Sequence, residues 1–171
     1  RASADRVAGA LEARGVSRGD RVVLMVDNRV EFLHVVFAAA RIGAIVVPVN
    51  TASRGRILAH VLELTKPVVA VVSSEYAGRV AEVDSQAVEI LTVEDGLEGV
   101  ASTSTPLSDG AATSAILFTS GTTGPSKGVA WPHRMGLYDA YLSCLVMDYR
   151  ESDVLYTALP LFHINALFTS F

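Results

Sequence analysis

Cysteine is almost missing from this chain. Cys144 is the only one among 171 residues, which excludes an intrachain disulfide and a cysteine-built zinc site. That usage suits a reducing, cytoplasmic setting. Basic tracts are missing too. The net charge is −4, and without a basic stripe nucleic-acid binding is not expected as a main role. No signal-peptide pattern is read, and no uninterrupted apolar run is long enough to cross a bilayer. The nearest candidate, Val30 to Val49, is broken by Glu31, His34 and Arg41. Each charge near a bilayer centre costs about 2.5–3.5 kcal/mol. Gly43 and Pro48 punctuate the same stretch, so it reads as a buried helix followed by a buried strand.

Apolar residues are abundant: half the chain is hydrophobic and the mean hydropathy is +0.38. This supplies a core and excludes disorder. The surplus over an ordinary soluble domain fits strands buried on both faces, or partner surface lost by truncation. The chain opens on Arg1 in a helical pattern (Val7, Ala8, Leu11, with Gly15 as a stop) and closes on an apolar run, Leu167 to Phe171. Both ends read as cut.

Strand and helix signals alternate. Arg21 to Val26 reads as a strand. Asn28 can cap the next helix, with Glu31 completing a capping box and Gly43 ending it. Ala44 to Val49 is a second strand, and Ser53 caps a helix to about Thr65. Pro67 to Val72, a helix from Glu75 to Val83, and a strand from Val88 to Val93 follow. These strands are continuous and β-branched, the mark of a parallel sheet covered on both faces, and the intervening lengths suit βαβ crossovers. Residues 95–113 turn to Gly, Ser, Thr, Asp and Pro, a long surface connection. Beyond it, Ser114 to Phe118 and Gly128 to Ala130 read as extended, with Pro132 opening a helix to about Met147. Asp153 to Leu159 reads as a further strand, and Leu161 to Phe171 as helical at its end. The expected fold class is α/β, a Rossmann-like parallel sheet with flanking helices, organised as 1–94, a connection over 95–113, and 114–171.

The chemistry concentrates in Thr119 to Gly128, TSGTTGPSKG, between two apolar strands. Gly121, Gly124 and Gly128 permit close backbone approach. Thr119, Ser120, Thr122, Thr123 and Ser126 supply hydroxyls, and Lys127 an ammonium. Backbone N–H groups, hydroxyls and one cation can together wrap a polyphosphate. A turn-rich hairpin loop is the plain alternative. It is not a Walker A loop: Ser126 stands where the second glycine belongs, and Gly128 where a Ser or Thr would hold magnesium. The histidines offer no metal-ligand spacing, and His34, His60 and His133 read as structural or surface residues.

The string resembles the phosphate-binding signature of the adenylate-forming superfamily, which includes acyl- and aryl-CoA synthetases and amino-acid adenylation domains. Pro125 stands before Ser126, where many members carry Pro just before the Lys. RIGAIVVPVN (Arg41 to Asn50), ALPLFHINAL (Ala158 to Leu167) and GVSRGDRV (Gly15 to Val22) resemble further family segments, in the family's order. The resemblance implies part of the large N-terminal domain of an acyl-CoA synthetase-like fold. It implies ATP, Mg2+ and coenzyme A as cofactor and co-substrates, and a small-molecule carboxylic acid as substrate. It places Thr119, Ser120, Gly121, Thr122, Thr123, Gly124 and Lys127 at the β- and γ-phosphates, with Lys127 steadying the departing pyrophosphate. It places His163 beside the acyl and phosphate groups, with Asn165 on the same wall. The family's later motifs and its C-terminal domain are absent, so the chain alone is expected to be inactive. An amino-acid adenylation domain and a non-catalytic Rossmann-like module stay open as alternatives. Residues 159–171 hold no Asp or Glu for an α-amine, which favours a simple acid. A truncated sheet exposes edges and apolar faces, so self-association through that surface is expected.

Overall fold

The computed structural model describes residues 2–83, 88–97, 99–104, 109–119 and 126–169. Six strands form one sheet: β1 (Arg21–Met25), β2 (Ile45–Pro48), β3 (Val69–Val72), β4 (Glu89–Thr92), β5 (Thr113–Phe118) and β6 (Gly128–Pro132). Their order is β4-β3-β1-β2-β5-β6. The first five run parallel, and β6 is antiparallel to β5. The helices are α1 (Ala2–Glu12), α2 (Val30–Ile42), α3 (Gly55–Thr65), α4 (Ser74–Val83), α5 (His133–Met147) and α6 (Ile164–Thr169). The expected α/β sheet is present, with one antiparallel edge that the strand pattern could not orient.

Side-chain alternation sorts the core into two layers. Val22, Leu24, Val69 and Val71 join Phe32, Val35 and Ala39 of α2 and Leu11 of α1 on one face. Val23, Met25, Ala70 and Val72 join Leu58 and Leu62 of α3 and Val80 of α4 on the other. Every residue of β3 is buried, and all of β1 after Arg21. That is why these strands read as unbroken apolar runs rather than alternating ones.

Three local expectations give way to other contacts. Asn28 does not cap α2: the N-cap is Arg29, with no side-chain cap bond, and the Asn28 amide bonds the backbone of Leu159 and Leu161. Glu31 pairs with Arg29 at 3.2 Å instead of closing a capping box. Ser53 likewise yields to Arg54, an extended N-cap with no side-chain bond. Asp153 to Leu159 forms no strand. Val154 is 94% and Tyr156 89% exposed, so its apolar residues have nothing to pack against and its backbone no ladder to join. Gly43 does end α2, in the left-handed conformation (φ 73°), a geometry glycine adopts without steric cost. The connection after β4 is not free throughout. The Gly99 and Ser102 N–H groups donate to Arg6 and Asp5 carbonyls of α1 at 3.2 and 2.9 Å.

Candidate functional site

Because β1, β2 and β5 are parallel, their carboxyl ends lie along one edge of the sheet. Loops beyond that edge are where open α/β sheets place ligands, above all where successive connections leave for opposite faces. Here α2, after β1, packs on one face, and α3, after β2, on the other. A crevice of about 460 Å³ opens between those two strand ends, lined by Asp27, Asn28, Asn50, Thr51, Pro160 and Phe162 among others.

The glycine- and hydroxyl-rich string leaves the same edge. The β5–β6 register ends at Phe118 opposite Gly128, and one further rung follows, the Thr119 N–H donating to the Lys127 carbonyl at 3.1 Å. The string is therefore carried as the loop of an antiparallel hairpin. Thr119 and Lys127, adjacent across that rung, are both exposed. The Lys127 ammonium makes no hydrogen bond or ion pair with a described residue. Ser120, Gly121, Thr122, Thr123 and Gly124 lie outside the described residues.

Two contacts brace this hairpin from α3. His60 Nε2 lies 2.9 Å from the Ser126 carbonyl, a distance at which its N–H tautomer donates. The His60 ring also meets Phe118 edge-on, with centroids 6.5 Å apart. One imidazole thus meets both Phe118 of β5 and Ser126, the residue just before the Thr119–Lys127 rung. Its sequence context, mid-helix among apolar residues, offered no sign of this: partners on distant segments leave no local pattern.

His163 stands on a separate segment. Its N–H donates to Pro160 at 2.9 Å, its carbonyl accepts from Leu167 at 3.0 Å, and its exposed ring lies 4.9 Å from that of Phe162. No hydrogen bond, ion pair or ring contact joins it to Thr119 or Lys127 among the described residues. The structure brings Thr119 and Lys127 directly together. It brings the turn before His163 to the same edge through Asn28. His133 sits apart at the start of α5, where burial pushes its imidazole below the usual histidine range. Trp131 lies beside Phe168, ring centroids 6.0 Å apart. Both read as packing residues.

The electrostatics of the edge come from an ion cluster on its far side. Glu94, just past β4, accepts from the Ser74 N–H at 2.8 Å and the Ser74 hydroxyl at 2.9 Å, and pairs with Arg29. The Ser74 N–H bond, foremost, lowers its carboxyl to about 2. Arg29 also binds Glu31. The loops after β1, β3 and β4 are thereby locked to one another.

The sequence and fold of this chain resemble those of several ligases and synthetases. The chain is 37% identical over 179 residues to a medium/long-chain fatty-acid–CoA ligase of Mycobacterium tuberculosis, a match covering 97% of this chain and 30% of the ligase. It superposes with a TM-score of 0.86, at 28% identity, on the o-succinylbenzoate CoA synthetase of Bacillus subtilis solved with its acyl-adenylate intermediate, covering 97% of this chain and 43% of that one. On ATP-bound MatB of Rhodopseudomonas palustris the TM-score is 0.87 at 31% identity, covering 98% of this chain and 35% of that one. The chain thus spans less than half the length of each. The family profile described as AMP-binding enzyme matches residues 1–171, and the chain belongs to that family.

Proposed function

We propose that the protein carrying this chain is an AMP-forming acid–thiol ligase. It joins a carboxylic acid to ATP as an acyl adenylate, releases pyrophosphate, and passes the acyl group to coenzyme A. The observation that carries this reading is the string TSGTTGPSKG, whose Thr119 and Lys127 meet across the last rung of the β5–β6 pair at the carboxyl edge of the sheet, with the Lys127 side chain exposed and without a partner among the described residues. A carboxylate is a weak nucleophile, and the α-phosphate it must attack is ringed by negative oxygens. Positioning and electrostatic stabilisation are therefore what the protein has to provide.

In this reading Thr119, Ser120, Gly121, Thr122, Thr123 and Gly124 hold the β- and γ-phosphates through hydroxyls and backbone N–H groups. Lys127 balances the charge gathering on the departing pyrophosphate, and His163 borders the acyl group and the phosphates. Mg2+ would arrive with the nucleotide. Among the described residues no group of three or more His, Cys, Asp or Glu side chains stands ready to hold a metal, and no step is assigned to it. No described helix is long and apolar enough to cross a membrane. The exposed, unpaired thiol of Cys144 suits a reducing cytoplasm. Self-association through the exposed apolar face of α5 belongs to the same reading.

The test is carboxylate-dependent exchange of labelled pyrophosphate into ATP, run on the full-length protein and on this chain alone with fatty, aromatic and amino acids. Exchange by the full-length protein with a simple acid and none by the chain alone are the expected results. Lys127→Ala should weaken use of ATP by about 100- to 1,000-fold, the range for removing one charge-stabilising donor. Unchanged ATP dependence in that variant would sink the assignment of Lys127. Exchange with amino acids only would favour an amino-acid adenylation domain instead.

A further inference from the structure

Asn28 is the residue where the first βα unit takes hold of a segment more than a hundred positions later. Its Oδ1 accepts from the Leu161 N–H at 2.8 Å, and its Nδ2 donates to the Leu159 carbonyl at 3.0 Å. A primary amide carries one acceptor and one donor group side by side. Here each meets its complement on one stretch of backbone, as a neighbouring strand would.

What the amide grips has little else to hold it. Residues 153–158 form neither helix nor strand, and Val154 and Tyr156 are almost fully exposed. The first buried side chain after them is Leu161. Beyond Leu161 the chain turns through the His163-to-Pro160 bond and enters α6.

The residues on either side of Asn28 are themselves tied down. On one side of Asn28, both Asp27 oxygens accept from the Tyr76 hydroxyl at 3.0 Å, and the Tyr76 ring lies under the Arg79 guanidinium. On the other side, Arg29 is tied to Glu31 and Glu94. A side chain set between two anchored neighbours transmits a defined position rather than a range of them. Pro160 and Phe162, on either side of Leu161, form the outer wall of the crevice at the ends of β1 and β2.

We propose that Asn28 is a positioning residue: its amide fixes the Pro160–His163 turn over the carboxyl ends of β1 and β2, and so sets where the His163 imidazole meets the reacting acid. The inference rests on the reading of His163 given above.

A double-mutant cycle tests it in the full-length protein: Asn28→Ala, His163→Ala and the pair, each assayed by pyrophosphate exchange for kcat and for KM of the acid. Urea midpoints report whether each variant is folded. If Asn28 acts through His163, each single substitution lowers kcat/KM for the acid roughly 10- to 100-fold, the scale of a misplaced site group. The double variant is then no worse than His163→Ala, because coupled residues are not additive. Losses that multiply in the double variant would show that Asn28 acts independently and overturn the proposal. So would Asn28→Ala within twofold of the parent while His163→Ala is impaired. His163→Ala at parental activity removes the reading of His163 and this inference together, and leaves the Lys127 test standing. Should Asn28→Ala not fold, Asn28→Asp carries the same cycle. It keeps the acceptor for Leu161 but sets a carboxylate oxygen against the Leu159 carbonyl, so the grip is broken on one side and its loss should be equally non-additive.

Discussion

A methyl group added at Gly9, in the middle of α1, would run into the Val100 carbonyl oxygen. The reverse holds across the contact, where a Cβ on Gly99 would lie 2.7 Å from the Ala10 nitrogen. The two glycines let the segment after β4 lie directly on the helix, close enough for the Gly99 and Ser102 N–H groups to reach α1 carbonyls. Helix propensity alone would make Gly9→Ala stabilising by about 1 kcal/mol. We expect the opposite sign, a loss of about 1–3 kcal/mol from overpacking, measured by urea unfolding of the chain. A rise in the midpoint would mean that the segment moves away at no cost. Nothing in the sequence around Gly9 announced this contact. Asn28 is the same lesson with a polar side chain. Its place before an apolar helix, three residues ahead of Glu31, matches a capping box, yet its amide is spent on Leu159 and Leu161. Local pattern names what a residue can do. The distant partner decides what it does.

Among the elements, the start of α4 depends on a carboxylate from a different loop. Glu94 accepts from the Ser74 N–H, one of the donors a helix leaves unsatisfied at its first turn, and pairs with Arg29. Its folded-state carboxyl is lowered from 4.5 to about 2. Between those values the unfolded chain binds the proton that the folded chain refuses. The stabilisation is thus complete above about pH 4.5 and is lost as pH falls toward about 2. Replacing Glu94 by Gln should remove this contribution. Thermal midpoints of parent and Glu94→Gln should converge as pH drops from 5 to 2 and stay apart above it. A constant gap across that range would show that Glu94 titrates alike in both states. At this scale the elements themselves were legible. Each strand from β1 to β5 lies within about two residues of its apolar run; for β1, β2 and β3, burial on both faces forces such runs. The exception, Asp153 to Leu159, has strand-like composition without a partner to pair with. A strand exists only as part of a ladder.

At the scale of this chain, one apolar surface is left uncovered by the described residues. No residue of α5 is buried, and Leu137, Tyr141, Leu145, Val146 and Met147 are each at least 60% exposed. Such a patch on an isolated chain favours association. Light scattering on this chain should therefore give a mass that rises with concentration, and Leu145→Glu with Val146→Glu should return it toward the monomer. A monomer at every concentration would contradict self-association through this face.

The sequence by itself determined the α/β class, the identity of nearly every strand and helix, and the string at Thr119 to Gly128. These rest on periodicity, β-branched runs and a cluster of glycine and hydroxyl residues, all local properties. Only the tertiary structure decided that β6 turns back antiparallel on β5, making the string a hairpin loop. It alone set His60 against Phe118 and Ser126 beside that hairpin and tied the turn before His163 to Asn28. The His60 and Asn28 contacts are hydrogen bonds and ring contacts between segments far apart in the chain. Their formation depends on which faces of the sheet the helices cover, and no window of sequence contains that information.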